Sequence, residues 1–516
     1  MEENKMSKGK EILAILLLTL VIGTGTLAWI VWSSKDNTKM NVTIGDLADV
    51  SFKTGNDINI SNLSPSFYYD DGALTEFSIR KKKGLTTELN TNIYLDITSI
   101  SDELKNDNFK YVLLSSSDGN TYNEVISSSF KDASVGKLDV VTDSPLTDGK
   151  TYYKFYIWID GNNENNETMQ GKSLKGTLNV DVSTPPVNAV TLVEGLDTGY
   201  VGDDGSGVYK IEHSAIPASS SATGSEIPAV TDYRYYGPNP NNYICLDMED
   251  GSTCPDKHLY RIIGSIYEEK ENTKRIKVIK ATPLTDGTTK GFSWDYKVNN
   301  GSGSYDNIWA TITSGNYSNS LTSGSQLMKL LNSGAWWNGT SGSYYNNSIT
   351  ATTVNFTNYK LSDKAKSYIT TSRYYLGGYD NNVLLTNEMY GYERGTLRYN
   401  TDRPLYWEGM VGLMYPSDYG YAAGNTCVTG TRLSDYEGGC MNKDWLYISN
   451  TRQWLMSPSW STSNSVLNVG PDGGQVYFYG YRSCYEAFAV HPVFYLTSTT
   501  SIIDGDGTLN NPYILK

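Results

Sequence analysis

Residues Ile12 to Trp32 read ILAILLLTLVIGTGTLAWIVW, an apolar run with no charge in it. It is long enough to cross a hydrocarbon core of about 30 Å. Lys5, Lys8 and Lys10 precede it, so the positive-inside rule puts the N-terminus in the cytoplasm and all that follows outside. Thr26-Leu27-Ala28 is also a tolerable small-x-small cleavage site. Residues 1–34 therefore form a transmembrane anchor or a removable signal segment. On both readings the body of the chain is exported.

That body is too long for one ordinary core in a chain of 516 residues, which points to more than one domain. Its 41 Tyr, 11 Trp and 48 Gly favour short strands, tight turns and aromatic contact surfaces over long helices. The net charge of −14 disfavours nucleic acid and anionic lipid as partners. Three His leave little material for a His-rich metal site or a His-based relay.

The cysteines fit an oxidising exterior. Cys245 and Cys254 flank the polar loop LDMEDGST, and Cys427 and Cys440 flank VTGTRLSDYEGG. Two local pairs would staple two loops. No Cys-x-x-Cys occurs, so zinc and thioredoxin-type chemistry find no support. Cys484 is left over and is expected as a buried thiol.

Residues 40–182 read as an all-β domain, a sandwich or jelly roll. Asn92–Thr98 alternates apolar and polar side chains, and 111–114, 153–159 and 174–182 are similar. Asp118-Gly119, Asp148-Gly149 and Asp160-Gly161 supply turns between them. Thr184-Pro185-Pro186 marks a stiff boundary, inside a linker expected over 183–196. Residues 197–516 read as α+β. Strands are expected at 260–264, 275–280, 465–469, 475–479 and 490–496. Two short helices are expected at 325–331 and 362–369, the second with Ser362 as N-cap.

Two resemblances refine this reading. Gly-Thr-Gly-Thr-Leu-Ala-Trp at the end of the apolar run, Asn62-Leu-Ser-Pro65 and Tyr156-Ile-Trp-Ile-Asp-Gly161 resemble the camelysin/TasA-like exported surface and biofilm-fibre proteins, whose fold is a β jelly roll. Ser66 stands where that group usually has Gly. Leu259-Tyr-Arg-Ile-Ile-Gly264, Val411-Gly-Leu-Met-Tyr-Pro-Ser-Asp418, Trp454-Leu-Met-Ser-Pro-Ser459 and Ala489-Val-His-Pro-Val-Phe-Tyr-Leu496 resemble C-type-lectin-like modules of bacterial surface proteins. These are related in fold to the formylglycine-generating enzyme and to the variable proteins of diversity-generating retroelements. His491 replaces the usual Arg of that ending.

The second resemblance implies a ligand surface between Trp454 and Tyr485. Its candidate contacts are Trp460, Ser463, Asn464, Tyr477, Tyr479, Tyr481, Arg482 and Tyr485. Tyr offers a rigid amphipathic face at small entropic cost, while Ser and Asn adapt their hydrogen bonds. Alternation puts Tyr477, Tyr479 and Tyr481 on one face of a strand, expected exposed, with Val476 and Phe478 on the other. An equally admissible reading is that this strand packs a core. Trp336, Trp337, Trp460 and Tyr479 are candidate sugar platforms, and Trp454 is expected in the core.

No cofactor is expected. Asp504-Gly-Asp-Gly507 and Asp203-Asp204-Gly205 could offer oxygens to calcium, but no EF-hand Glu follows, and turn chemistry accounts for them. The formylglycine-generating relatives need a pair of active-site Cys, and only Cys484 is spare. No Gly-x-Ser-x-Gly elbow or metalloprotease helix motif occurs. The reading is a non-enzymatic bacterial cell-surface protein that binds a protein or glycan ligand through its last domain. The alternative is a biofilm or matrix fibre subunit that self-assembles through its β domain.

Overall fold

The computed structural model describes residues 40–44, 47–83, 88–162, 166–197, 199, 205–249, 253–295, 306–313, 316–317, 321, 323–346, 350–379, 384–477 and 484–516. The apolar run 12–32 lies outside them. Among the described residues no helix is long and apolar enough to cross a membrane. The chain divides into two compact units, Met1–Pro185 and Pro186–Lys516.

The first unit is built from strands β1 (Met40–Ile44), β2 (Ala48–Phe52), β3 (Asp57–Ser61), β4 (Pro65–Ser66), β5 (Ala73–Lys81), β6 (Leu89–Ile100), β7 (Phe109–Ser116), β8 (Asn123–Ser129), β9 (Gly136–Leu146), β10 (Lys150–Asp160) and β11 (Ser173–Ser183). One sheet runs β1-β2-β5-β10-β7-β8, with the short β4 beside β10, and the other runs β3-β11-β6-β9. Period-two patterning decides which side chains face inward. In β6, Ile93, Leu95 and Ile97 are buried, and in β3 Ile58 and Ile60 alternate with exposed Asp57, Asn59 and Ser61. These meet Val50, Phe77 and Phe155 of the first sheet in one core. Phe77 stacks on Tyr153 with ring centres 4.9 Å apart.

The second unit is laid over a larger sheet. Its early strands are β12 (Val187–Asn188), β13 (Gly207–His213), β14 (Val230–Tyr236), β15 (Tyr243–Cys245), β16 (Leu259–Glu268) and β17 (Thr273–Lys280). The β16–β17 pair expected from the sequence is antiparallel and pairs Tyr260 with Lys280. β17 then pairs with Val493–Leu496. A bulge at Gly264 lets β14 dock on β16, because a Cβ there would sit 2.2 Å from the Tyr233 carbonyl.

The linker expected over 183–196 ends earlier. β12 pairs with Ser501–Asp504, and helix α1 (Ala189–Gly195) follows at once. Asn188 caps α1 by accepting from the Val190 and Thr191 amides. Ala189 and Val193 are 1% and 0% exposed. The Pro-rich dipeptide is the boundary, and burial of one α1 face draws the rest into the second unit.

The two expected helices form, the second shorter than read: α2 (Gln326–Asn332), capped by Ser325, followed by one turn, α3 (Ala335–Asn338), and α4 (Asp363–Ser367) under Ser362, with Ile369 already in a strand. Three further helices were not expected: α5 (Thr386–Glu393), α6 (Pro416–Ala422) and α7 (Asn425–Gly430). Their Gly and Tyr content gives poor intrinsic propensity. Tertiary burial makes them helical, since every residue of α6 is buried.

The disulfides Cys245–Cys254 and Cys427–Cys440 are formed, and Cys484 is free and buried. In the chain-entropy account, loops of this length stabilise the native state by about 3 kcal/mol each. Denatured, unreduced protein is expected to titrate for one thiol, and native protein for none that reacts quickly. Two or more fast thiols would contradict the bridges.

Candidate functional site

The loop after Trp454 is held from below. Asn307 is 1% exposed, and its side-chain Nδ2 donates to the carbonyls of Ser459, Thr462 and Ser465 at 3.2, 2.9 and 2.8 Å. The Asn307 amide donates to the Ser463 carbonyl, and the Cys484 amide to that of Asn464. Arg403 Nη2 also donates to Ser463 O. Ser459 Oγ accepts from the Ser461 and Thr462 amides, a turn that lifts Trp460 outward to 38% exposure.

Trp460 does not stand alone. The Tyr379 ring lies parallel to it at 6.0 Å and 6°, and Tyr392 of α5 stacks on Tyr379 at 4.4 Å and 11°. The three form a short ladder of parallel rings at the surface. Gly378 permits it, because a Cβ at this position would meet the Pro458 carbonyl at 2.8 Å. Such offset-stacked rings offer flat apolar faces with polar rims.

Ser463, Asn464 and Tyr485 are half-buried. The Tyr485 carbonyl accepts from Ser293 Oγ. Tyr477 lies in the strand Val476–Tyr477, opposite Asn468, and Val476 is buried. Tyr479, Tyr481 and Arg482 lie outside the described residues. Trp336 is buried rather than a platform, and Trp454 is in the core as read. Trp337 is half-buried, with the Lys366 ammonium over its ring. Tyr379 and Tyr392, which complete the ladder, were missed by sequence reasoning. They stand 81 and 68 positions before Trp460, and no local signal joins them to it.

A second constellation is charged and sealed. Asp232 Oδ2 accepts from Arg234 Nε and Nη2 at 3.2 and 2.8 Å and lies 3.0 Å from His213 Nε2. Arg234 Nη1 donates to Asp418 Oδ1 at 2.8 Å, and Lys277 Nζ to Asp418 Oδ2 at 2.5 Å. Glu393 accepts from the Ser417 amide and hydroxyl, and burial pushes its carboxyl up to about 7. Burial also lowers Lys277 and His213. All these side chains are within a few per cent of fully buried. The cluster is a frame that fixes β14, β17, α5 and α6 to one another.

Cys484 has the opposite of nucleophile chemistry. It is 0% exposed, and burial pushes its thiol well above the usual range. His491 donates from Nδ1 to the Lys280 carbonyl, 3.0 Å away, inside the core. Asp506 is spent on turn geometry, accepting from the Thr508 amide and hydroxyl, and Asp203-Asp204 lies outside the described residues. Among the described residues no cluster of His, Cys, Asp and Glu has metal-binding geometry.

No known protein family and no curated protein matches the chain.

Proposed function

We propose that this is a non-enzymatic bacterial cell-surface protein whose second unit binds an external protein or glycan through the Trp460–Tyr379–Tyr392 face. The single observation that carries the reading is that ladder of parallel rings, held up by a turn whose carbonyls are clamped from inside by Asn307. A rigid aromatic anchor on a pre-ordered loop is the arrangement that recognition surfaces favour. The apolar run 12–32 anchors or exports the chain, and two disulfides suit an oxidising exterior.

The C-type-lectin-like assignment is supported by how three of its four quoted segments meet. The Met456 amide donates to the Met414 carbonyl and the Trp454 amide to that of Ala489, while Gly412 and Val493 exchange backbone bonds. The jelly-roll assignment of the first unit is supported by its two antiparallel sheets over one core.

Trp460→Ala is expected to weaken the ligand found by a glycan array or a surface pull-down by about 2 kcal/mol, roughly thirtyfold. Stability should change by about 1 kcal/mol or less, because the ring is partly exposed. Unchanged binding would remove this face from the reading. The fibre-subunit alternative draws on the first unit, where Phe67 and Tyr68 are 68% and 70% exposed. Negative-stain microscopy of the full chain separates the two, since strictly single particles would exclude the fibre.

A further inference from the structure

We infer that one end of the first unit docks on the membrane surface, where Phe67 and Tyr68 enter the interfacial layer of neutral, zwitterionic lipid. The inference rests on the reading of 12–32 as a retained anchor. Phe67 and Tyr68 are 68% and 70% exposed, and Tyr69 40%. Six large hydrophobic side chains are exposed among the described residues of this unit, and five of them gather at this end: these three, Leu74 and Val135. Their loops meet there. β4 lies beside Ile159 and Asp160 at the close of β10, and β5 begins at Ala73 opposite Ile157. The 130–135 loop leaves β8 at Ser129, opposite Lys110 near the start of β7. Scattered apolar residues need no explanation, but a gathered set marks a contact surface.

The loop that carries the rings is held stiffly. Ser66 Oγ accepts from the Tyr68 amide at 3.1 Å and donates to Asp71 Oδ2 at 2.5 Å. The Gly161 amide donates to the Ser66 carbonyl, and the Gly72 amide to that of Tyr69. The Tyr69 ring meets Tyr156 and Trp158 edge-on, with centres 5.2 and 6.1 Å away. A Cβ at Gly72 would come 2.4 Å from the Ile157 carbonyl, so the loop lies hard against β10. Tyr69 is the inner anchor, and Phe67 and Tyr68 are presented outward with little left to order on contact.

The path of the chain names the occupant. Met40 pairs with Phe52 and Phe52 with Phe77, while Ile44 pairs with Ala48 and Ala48 with Lys81. β1 is therefore entered from the side on which β5 begins. Ala73 lies four residues before Phe77, about 13 Å along the strand, and the ring loop follows β4, which pairs two residues further out. Residues 33–39 alone join the apolar run to Met40, and seven residues reach about 25 Å at most. Coming level with Ala73 takes about half of that reach, and a headgroup layer about 5–7 Å thick fills much of the rest. The chain leaves at the other end: β11 starts at Ser173 opposite Ser61, just before β4, and finishes at Ser183 opposite Asn90. The exposed rings thus stand at the end by which the unit is tethered to the bilayer.

The residue types fit that layer. Aromatic rings with one polar end settle at the boundary between headgroups and acyl chains, where the ring is apolar and the hydroxyl stays wet. Asp70 and Asp71 follow the rings directly and are exposed, so an anionic headgroup meets like charge there. Zwitterionic headgroups carry no net charge to repel them. The tether keeps the local lipid concentration high, so two rings are enough to hold the end down although they would not recruit a free domain. The face shares no residue with the Trp460 ladder, and the two readings fail separately.

The test reconstitutes the full-length chain in phosphatidylcholine vesicles that contain a lipid with a nitroxide on its headgroup. A fluorophore is attached through Ser64→Cys, an exposed position beside the rings, or through Asp148→Cys in the β9–β10 turn at the opposite end. Cys484 is buried and stays unlabelled. The label at 64 is expected to lose about half its emission to the nitroxide, and the label at 148 to lose almost none. Adding Phe67→Ser with Tyr68→Ser should return the first label to the level of the second, and both side chains are exposed enough for the melting temperature to hold. Replacing half the phosphatidylcholine by phosphatidylglycerol should weaken the quenching. Flotation with the vesicles is scored separately: a chain that does not float refutes the anchor itself. A chain that floats with both labels equally bright overturns the docking alone, and so does a face covered by a second copy, which shields the label without quenching it. Quenching that survives the double substitution, or that grows with phosphatidylglycerol, overturns it as well.

Discussion

Asp418→Ala is expected to lower the unfolding free energy of the second unit by about 3–5 kcal/mol, the range for removing one partner of a buried ionic network. Asp418 is 1% exposed and receives Arg234 on one oxygen and Lys277 on the other. The second oxygen also accepts the Tyr415 amide at 2.9 Å and so caps α6. Removing the carboxylate leaves the Lys277 ammonium, itself 1% exposed, against the Tyr415 and Tyr495 rings at 4.4 and 5.4 Å with no counter-charge. Ring faces replace only part of what a desolvated cation loses. Urea unfolding followed by tryptophan fluorescence reads the right unit, since Trp294, Trp309, Trp336, Trp407 and Trp454 are all buried there. Lys53→Ala, which breaks a mostly exposed pair with Glu76 in the first unit, should leave stability almost unchanged. A loss below about 1 kcal/mol for Asp418→Ala would contradict the framing role, since surface substitutions alone reach half of that.

The second large effect is acid sensitivity through His491. Burial, the first cause, and the nearby Lys280 charge lower its pKa to about 4, against a smaller opposing pull from the Lys280 carbonyl. The unfolded imidazole takes a proton near pH 6.5, while the folded one refuses it until about pH 4. Its contribution is therefore complete above about pH 6.5 and is lost as pH falls through the window to about 4, some 3 kcal/mol in all. Glu393 runs the other way. Its carboxyl is raised to about 7, so its contribution is complete below the ordinary carboxylate pKa and fades as pH rises through 7. The two are separated by difference. His491→Asn keeps a donor for the Lys280 carbonyl and cannot titrate. The stability gap between the native chain and this variant should shrink by about 3 kcal/mol from pH 7 to pH 4. A gap that stays constant over that range would mean His491 is not held neutral.

The candidate site was readable only in part. Trp460 stood out because Ser, Thr and Asn surround it, a turn composition with one large ring in it. Its partners did not. Tyr379 follows two glycines in what reads as loop, and Tyr392 sits in the helix-poor string TNEMYGYE. Ring stacking is decided by where chains cross, and nothing in a local window encodes a crossing. Four segments likewise bring His213, Asp232 and Arg234, Lys277, and Asp418 into one network.

Wherever the physical cause is short-ranged, the residue order was enough. Alternation at Asn92–Thr98 and Leu174–Val182 fixes which side chains face a core, because successive strand residues point to opposite faces. Ser325 and Ser362 mark helix starts, because a hydroxyl reaches an amide three residues on. Cysteines nine and 13 positions apart found each other across single polar loops. Tertiary structure alone decided the helicity of α5, α6 and α7, the burial of the ionic frame and the ring ladder at Trp460. Each of these depends on desolvation by distant neighbours, and the free energy of removing a group from water belongs to its final surroundings rather than to its place in the chain.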